Sequence, residues 1–210
     1  MNELVLLVGN KNSSSWSLRP WLALAKSGLP YRDEVVHFGS AEWERVKKVS
    51  PTGKVPSLVH GDVVVWDSLA ICEYLAELAP SLWPEDRARR AEARAVCAEM
   101  HSGFPNLRRQ LGMDISSRKD PGPLGPDVQA EIARVFAIWS GRSRFADEGP
   151  FLFGRFSIAD AFYAPVVTRF VTYGIEVPGD ARRYMDAILE LPELRAWSAE
   201  AKREVDAGVR

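Results

Sequence analysis

Apolar residues fall into two regimes along the chain. Up to residue 66 they come in short runs: Leu4-Val5-Leu6-Leu7-Val8, the centre of 31–37 at Glu34-Val35-Val36, Val55 to His60, and Val63 to Trp66. Runs this short, bounded by Gly, Pro, Asn and Ser, read as strands. Between them Leu18, Trp21, Leu22 and Ala25 recur at helical spacing until Gly28-Leu29-Pro30 stops the pattern, and Trp43 and Val46 share one side of a helical stretch over 41–49. Gly61-Asp62 is a two-residue hairpin signal. Asp67-Ser68 caps a helix over 69–78, whose Ile71, Tyr74, Leu75 and Leu78 form an apolar stripe. The predicted order is β-α-β-α-β-β-α. A βαβ unit followed by a hairpin and a helix gives a small mixed four-stranded sheet covered by helices.

Beyond Pro84 no strand pattern appears. Residues 87 to about 111 are rich in Ala, Glu and Arg and predict one long helix. The stretch 113–126 holds three prolines and two glycines and predicts a loop, after which a helix runs from Pro126-Asp127 to about Phe145. Ser157-Ile158-Ala159-Asp160 has the form of a capping box, with Asp in place of Glu, opening a helix to Tyr173. That helix is apolar all round, which marks it as the buried centre of a bundle. Two more helices, 180–191 and 193–206, complete an all-α second half. The expected division is 1–80, a linker at 81–86, and 87–210.

Composition narrows the function. The chain has 210 residues, 46% hydrophobic and 26% charged, and 27 basic against 28 acidic side chains give a net charge of −1. That balance offers no electrostatic case for nucleic acid or an anionic membrane. No apolar run is long enough to span a bilayer and no signal peptide is evident, so a cytoplasmic protein is expected. Cys72 and Cys97 form no Cys-x-x-Cys, and with only His37, His60 and His101 besides, no metal site is expected.

The candidate chemistry lies in Asn12-Ser13-Ser14-Ser15-Trp16-Ser17-Leu18-Arg19-Pro20, between the first strand and the first helix. Pro20 is comfortable only in a first turn, so the helix is predicted to start near Trp16 or Ser17. Ser14 and Ser15 then sit at its amino-terminal mouth, where free N–H groups and the helix dipole favour an anion. Their hydroxyls either cap the helix or hold a ligand's negative charge. Arg19 reads as a structural ion-pair partner, and the tryptophans at 16, 21, 139 and 197 as packing, with Trp16 also able to overhang the site.

Three local motifs at matching spacing bring in a resemblance covering nearly the whole chain. Val55-Pro56-Ser57-Leu58-Val59 is similar to the Val-Pro-x-Leu segment of thioredoxin-like glutathione sites. Asp67-Ser68-Leu69-Ala70-Ile71-Cys72-Glu73-Tyr74-Leu75 resembles the acidic/Gln-Ser-x-Ala-Ile-x-x-Tyr-Leu helix start, and Ser157-Ile158-Ala159-Asp160 resembles a second-domain capping motif. Together they resemble the soluble glutathione transferase family. Ser14-Ser15-Trp16-Ser17-Leu18-Arg19 is most like the Ser-Ser-Cys-Ser-x-Arg of its zeta, maleylacetoacetate isomerase-like class, with Trp16 replacing the cysteine. The resemblance implies an N-terminal α/β thioredoxin-like domain followed by an all-α C-terminal helical bundle, with glutathione as co-substrate, no metal, and a homodimer.

It also implies roles. A thiol of unperturbed pKa about 8.5 needs about 2.7 kcal/mol to be brought down by roughly two units. A hydrogen bond from a hydroxyl to the thiolate gives about 1.5–3 kcal/mol, and a helix amino terminus adds about 0.3–1. One serine therefore suffices, with Ser14 the first candidate and Ser15 the second. The Val55–Pro56 bond is expected to be cis, presenting the Val55 backbone to the cysteinyl peptide as an added strand would. Ser68 would hold the γ-glutamyl carboxylate. Asp67 would hold the ammonium or simply cap its helix, while Lys54, or more weakly His37, would meet the glycyl carboxylate. Trp16, Met100, His101, Phe104, Arg108 and Arg169 would line the second-substrate cleft between the domains, with core or dimer surface as the competing reading for those on the long helix.

The expected activity is attack of the thiolate on a small electrophile. One alternative is glutathione-dependent cis–trans isomerisation of a maleyl-type diketo acid, which requires a guanidinium facing the serines. Another is a non-catalytic binding or scaffold protein. A mouth cysteine, needed for glutathione-consuming reduction, is missing, and neither Gly-x-Ser-x-Gly nor a suitably placed histidine supports a serine hydrolase.

Overall fold

A computed structural model describes residues 3–209. The first half is the expected mixed sheet. β1 (Leu4–Val8) runs parallel to β2 (Tyr31–Val35) and antiparallel to β3 (Ser57–His60), which forms a hairpin with β4 (Val63–Trp66), giving the order β2-β1-β3-β4. The pleat divides β1 between two layers. Leu4, Leu6 and Val8 join a core with α1 (Ser15–Lys26) and α3 (Ser68–Leu78), while Leu7 meets Val36 and Val46 under α2 (Trp43–Val49). The thioredoxin-like architecture is thus present, and an all-helical half follows it.

Among the described residues, six α-helices form that half: α4 (Arg87–Ser102), α5 (Pro105–Gln110), α6 (Pro126–Ser140), α7 (Ile158–Thr172), α8 (Gly179–Glu190) and α9 (Pro192–Asp206). Every residue of α7 except Val171 is buried, as its all-round apolar pattern requires. α7 packs on α1 of the sheet half and on α4, so the two halves share one core. Beyond β4, the only extended pairing among the described residues is two isolated bridges within 151–155.

Several boundaries depart from the sequence reading. The single helix expected over 87–111 is two helices. Gly103 donates its N–H to Glu99, a Cβ there would lie 2.7 Å from the Glu99 carbonyl oxygen, and Phe104 turns left-handed at φ 56° before Pro105 restarts the chain. Proline supplies no N–H and disfavours a helical predecessor, so the helix could not continue. Helix α1 begins at Ser15, earlier than expected, because the Leu18 N–H already reaches the Ser14 carbonyl at 3.1 Å; Pro20 lies in its second turn. α6 stops at Ser140 and tightens into a 3₁₀ turn from Gly141 to Phe145. β2 ends at Val35, although the Val36 N–H still bonds the Val8 carbonyl at 2.8 Å.

The start of α7 is fixed by Asp160. Its carboxylate accepts from Leu152 N at 3.0 Å, Ser157 N at 2.8 Å and Ser157 Oγ at 3.1 Å. Complete burial nevertheless wins over these bonds and raises its pKa to about 6. A carboxyl raised on folding contributes stability that is full below its unfolded pKa and lost as pH rises through about 6. Wild type should therefore lose about 2–4 kcal/mol relative to Asp160→Asn between pH 4 and pH 7. Urea unfolding of both proteins at the two pH values measures it, and a pH-independent difference would refute it.

Candidate functional site

The chain leaves β1 at Gly9, where a side chain has no room: a Cβ would lie 2.7 Å from the Phe38 ring and 3.0 Å from Val55 Cγ2. Glycine here lets the segment before β3 close against the turn that carries the serines. That turn is tight, with Ser13 N and Ser14 N both on the Asn10 carbonyl. Ser14 occupies the N-cap of α1 but its side chain makes no capping hydrogen bond. Its Oγ instead donates to Ser17 Oγ at 2.8 Å, and Ser17 Oγ also accepts from Gly9 N at 3.1 Å. Ser14 is directed into the protein. Ser15 Oγ accepts from Arg169 Nη2 at 3.1 Å, which leaves its own O–H hydrogen free to donate.

Distant elements clamp this turn. Lys11, 2% exposed, places its ammonium on Asp33 of β2 at 2.7 Å and on Glu200 of α9, above the rings of Trp21 and Trp197. The Trp197 indole N–H donates to the Lys11 carbonyl at 2.8 Å. Asn12 receives Ser116 N at 2.9 Å on Oδ1, gives Nδ2 to Asp114 at 2.9 Å, and gives its backbone N–H to Glu204. None of these contacts was anticipated from the sequence. Their partners lie from 10 to 192 residues away and carry no local signal.

The facing wall comes from β3, β4 and α3. The Val55–Pro56 peptide is cis. Val55 precedes the first laddered residue, Ser57, so its backbone lies beyond the sheet pairing. Ser57 pairs with Trp66, which brings Asp67 and Ser68 alongside. Asp67 (φ 75°) caps α3 through Oδ1, accepting from Leu69 N at 2.8 Å, and its Oδ2 lies 3.3 Å from His101 Nε2. The His101 ring in turn meets Trp16 edge-on at 5.3 Å. Serine mouth and α3 mouth are thereby tied together. Ser68 is 1% exposed, and its buried Oγ has no hydrogen-bond partner among the described residues. Lys54 is exposed with no ion pair among the described residues; His37 is half-buried at the end of the β2 segment.

The expected second-substrate residues separate. Met100 and Phe104 are buried in the core. Trp16 is exposed and has Arg19 at 4.3 Å and Arg108 at 5.3 Å from its ring centroid. Arg108 also closes the carboxyl end of α4, with Nη1 on the Met100 and His101 carbonyls. Arg169 is buried, with Nη1 on the Arg108 and Leu111 carbonyls. Arg19 differs from its expected role as an ion-pair member. Among the described residues it pairs with no carboxylate, its Nε and Nη1 are buried without partners, and Trp16 and Phe162 sandwich it. The segment 15–26 contains no Asp or Glu, the one signal in the sequence that Arg19 lacks a local partner. Burial first, then repulsion from Arg108 and Arg169, lowers its pKa to about 9. Burial, then Arg108, lowers that of Arg169 to about 10. Burial lowers Arg108 as well. Three guanidinium groups thus converge beside the serines.

Residues 13–78 match the N-terminal domain of glutathione S-transferases, and residues 88–200 match the C-terminal domain. The chain belongs to the glutathione S-transferase family. It is 35% identical over 131 residues to a Caenorhabditis elegans protein named "Probable maleylacetoacetate isomerase", a match covering 61% of this chain and a little over half, 58%, of that relative. It is 40% identical over 177 residues to glutathione S-transferase 1 of Dianthus caryophyllus, covering 79% and 77% of the two chains. Its fold is similar to that of a glutathione transferase homolog from Burkholderia gl BGR1 solved with bound glutathione (TM-score 0.71, 24% identity, 97% and 99% coverage). No helix among the described residues is long and apolar enough to cross a membrane, and these residues include no group of three His, Cys, Asp or Glu able to hold a metal.

This transferase-family chain carries its own two thiols in the core. Cys72 and Cys97 are fully buried, and burial drives both pKa values well upward. Neither thiol should react with an aromatic disulfide reagent in the native protein, and both should react in denaturant. Rapid labelling of the native protein would contradict this placement.

Proposed function

We propose that this transferase-family protein binds glutathione across the α1 and α3 mouths and uses the bound thiolate against a small anionic electrophile. The observation that carries the reading is the buried Ser68 hydroxyl, unpartnered at the amino end of α3. A buried hydroxyl left without a partner costs about 1–3 kcal/mol, and a ligand carboxylate would remove that cost. Asp67 would receive the ligand's ammonium on the oxygen that faces His101. The Val55 backbone, beyond the ladder, would pair with the cysteinyl peptide, and exposed Lys54, with His37 as the alternative, would meet the glycyl carboxylate. The fold neighbour solved with glutathione supports the choice of ligand.

The sulfur then falls at the mouth of α1. Ser15 is better suited than Ser14 to donate to it, since Ser14 Oγ is already directed to Ser17. The hydroxyl hydrogen bond and the helix terminus hold the thiolate, its proton passes to water, and the sulfur forms a bond to the electrophilic carbon as the leaving group departs. Trp16 overhangs the position and Arg19 offers its free N–H groups to the electrophile's negative charge.

A second reading is favoured by the convergence of Arg19, Arg108 and Arg169 and by the likeness to a protein named as an isomerase. Here the same thiolate adds reversibly to the double bond of a maleyl-type diketo acid, and its expulsion after rotation leaves no net conjugate. Exposed Val63, Trp66 and Leu78 on β4 and α3 support a second copy covering that side.

Titrating the thiolate absorbance of bound glutathione tests the reading. Wild type should lower the thiol pKa by roughly two units, Ser15→Ala should restore about one unit or more, and Ser14→Ala should do less. Equal, small effects would mean that neither hydroxyl holds the sulfur. Arg19→Met should raise KM for anionic electrophiles about tenfold or more and leave that for neutral ones nearly unchanged. Equal effects on both substrate types would remove the anionic preference.

A further inference from the structure

Arg169 reaches Ser15 from the other half of the molecule, 154 residues along the chain. Both side chains are buried at the contact, and the guanidinium is anchored by Nη1 on the carbonyl oxygens of Arg108 and Leu111. Those carbonyls belong to the end of α5, so the charge cannot swing away without unseating that turn. Among the described residues no carboxylate pairs with Arg169, and with a pKa of about 10 it stays cationic at neutral pH.

A hydroxyl has one hydrogen and two lone pairs. With Arg169 Nη2 donating to the Ser15 oxygen, the O–H bond is turned away from the guanidinium. A hydroxyl that accepts from a cation is also polarised into a stronger donor in a low-dielectric site. Ser14 has no such support, because its oxygen is engaged only with Ser17 in the hydrogen bonds of the turn.

We propose that Arg169 is a positioning residue for thiolate formation: it acts through Ser15, aiming and strengthening that hydroxyl toward the sulfur of bound glutathione. The central helix of the C-terminal half would thereby control the acidity of a thiol bound to the N-terminal half. This inference rests on the proposed function, and it separates Arg169 from Arg19, whose unpartnered N–H groups remain for a second substrate.

Four proteins decide it: wild type, Arg169→Met, Ser15→Ala and the double variant, with the bound-thiol pKa read from thiolate absorbance. In the Ser15 background, Arg169→Met should reduce the thiolate fraction at pH 7 about fivefold. In the Ser15→Ala background it should change that fraction by less than about 1.5-fold, since the group it acts through is gone. Equal changes in both backgrounds would make Arg169 a general charge or a fold support, and no change in the Ser15 background would remove its role. Either result overturns the proposal. S-methylglutathione, which has no thiol proton, serves as the control for an intact site. If Arg169→Met binds it more weakly, Arg169→Lys replaces it in the same cycle, and the same two patterns decide. A wild-type bound thiol that titrates like free glutathione would instead refute the proposed function itself, a result distinct from a lowered pKa without coupling.

Discussion

One buried ammonium holds the two halves of this molecule in register. Lys11 sits between a carboxylate on β2 and another on α9, above two tryptophan rings, with almost none of its surface in water. An isolated buried charge would cost several kcal/mol, so both carboxylates must be in place for the turn to fold. Cation–π contact with desolvated indoles contributes up to about 2 kcal/mol each. The adjoining residue, Asn12, is held by the 114–116 segment and by Glu204. The segment that delivers the serines is therefore shaped largely by contacts outside its own domain, and the site forms only when both halves are docked.

The opposite electrostatic choice is made two turns further on. Arg108 and Arg169 both lower the proton affinity of Arg19, Arg108 lowers that of Arg169, and among the described residues no carboxylate forms an ion pair with any of the three. The protein has carboxylates near at hand: Asp67 faces His101, and Glu131 holds the start of α5 through Asn106 and Leu107. Cation–π stacking of Arg19 between Trp16 and Phe162 offsets part of its burial and leaves its N–H groups unused. A stable core would be better served by an apolar residue there.

The first half was legible because each signal in it is local. Short apolar runs, a Gly-Asp hairpin and an Asp-Ser helix start mark the order of the elements, each from a few residues within it. The Ser157–Asp160 box was equally readable, since both partners lie within one turn. The break between α4 and α5 was missed because a 16-residue run rich in Ala, Glu and Arg outweighed Gly103 and Pro105, although those two residues end the ladder sterically. At the site, the helix-start pattern brought out Ser14 and Ser15, and the resemblance added Ser68. The resemblance put Ser14 first, while the hydrogen bonds that distinguish the two, Ser14 to Ser17 and Arg169 to Ser15 across 154 residues, leave no mark in the spacing. The roles of Lys11 and Arg19 escaped for the same reason: burial and missing partners are properties of the packed chain.

Where the zeta-like motif has a cysteine, this chain has Trp16, and the replacement has a chemical consequence. A cysteine at a helix mouth is the position where a protein's own thiolate is most stabilised. Trp16 offers a ring instead, half open to solvent and bracketed by two guanidiniums and His101. The chain's only sulfhydryls, Cys72 and Cys97, lie in the shared core with their ionisation suppressed. No side chain at the mouth can therefore form a mixed disulfide with a bound thiol.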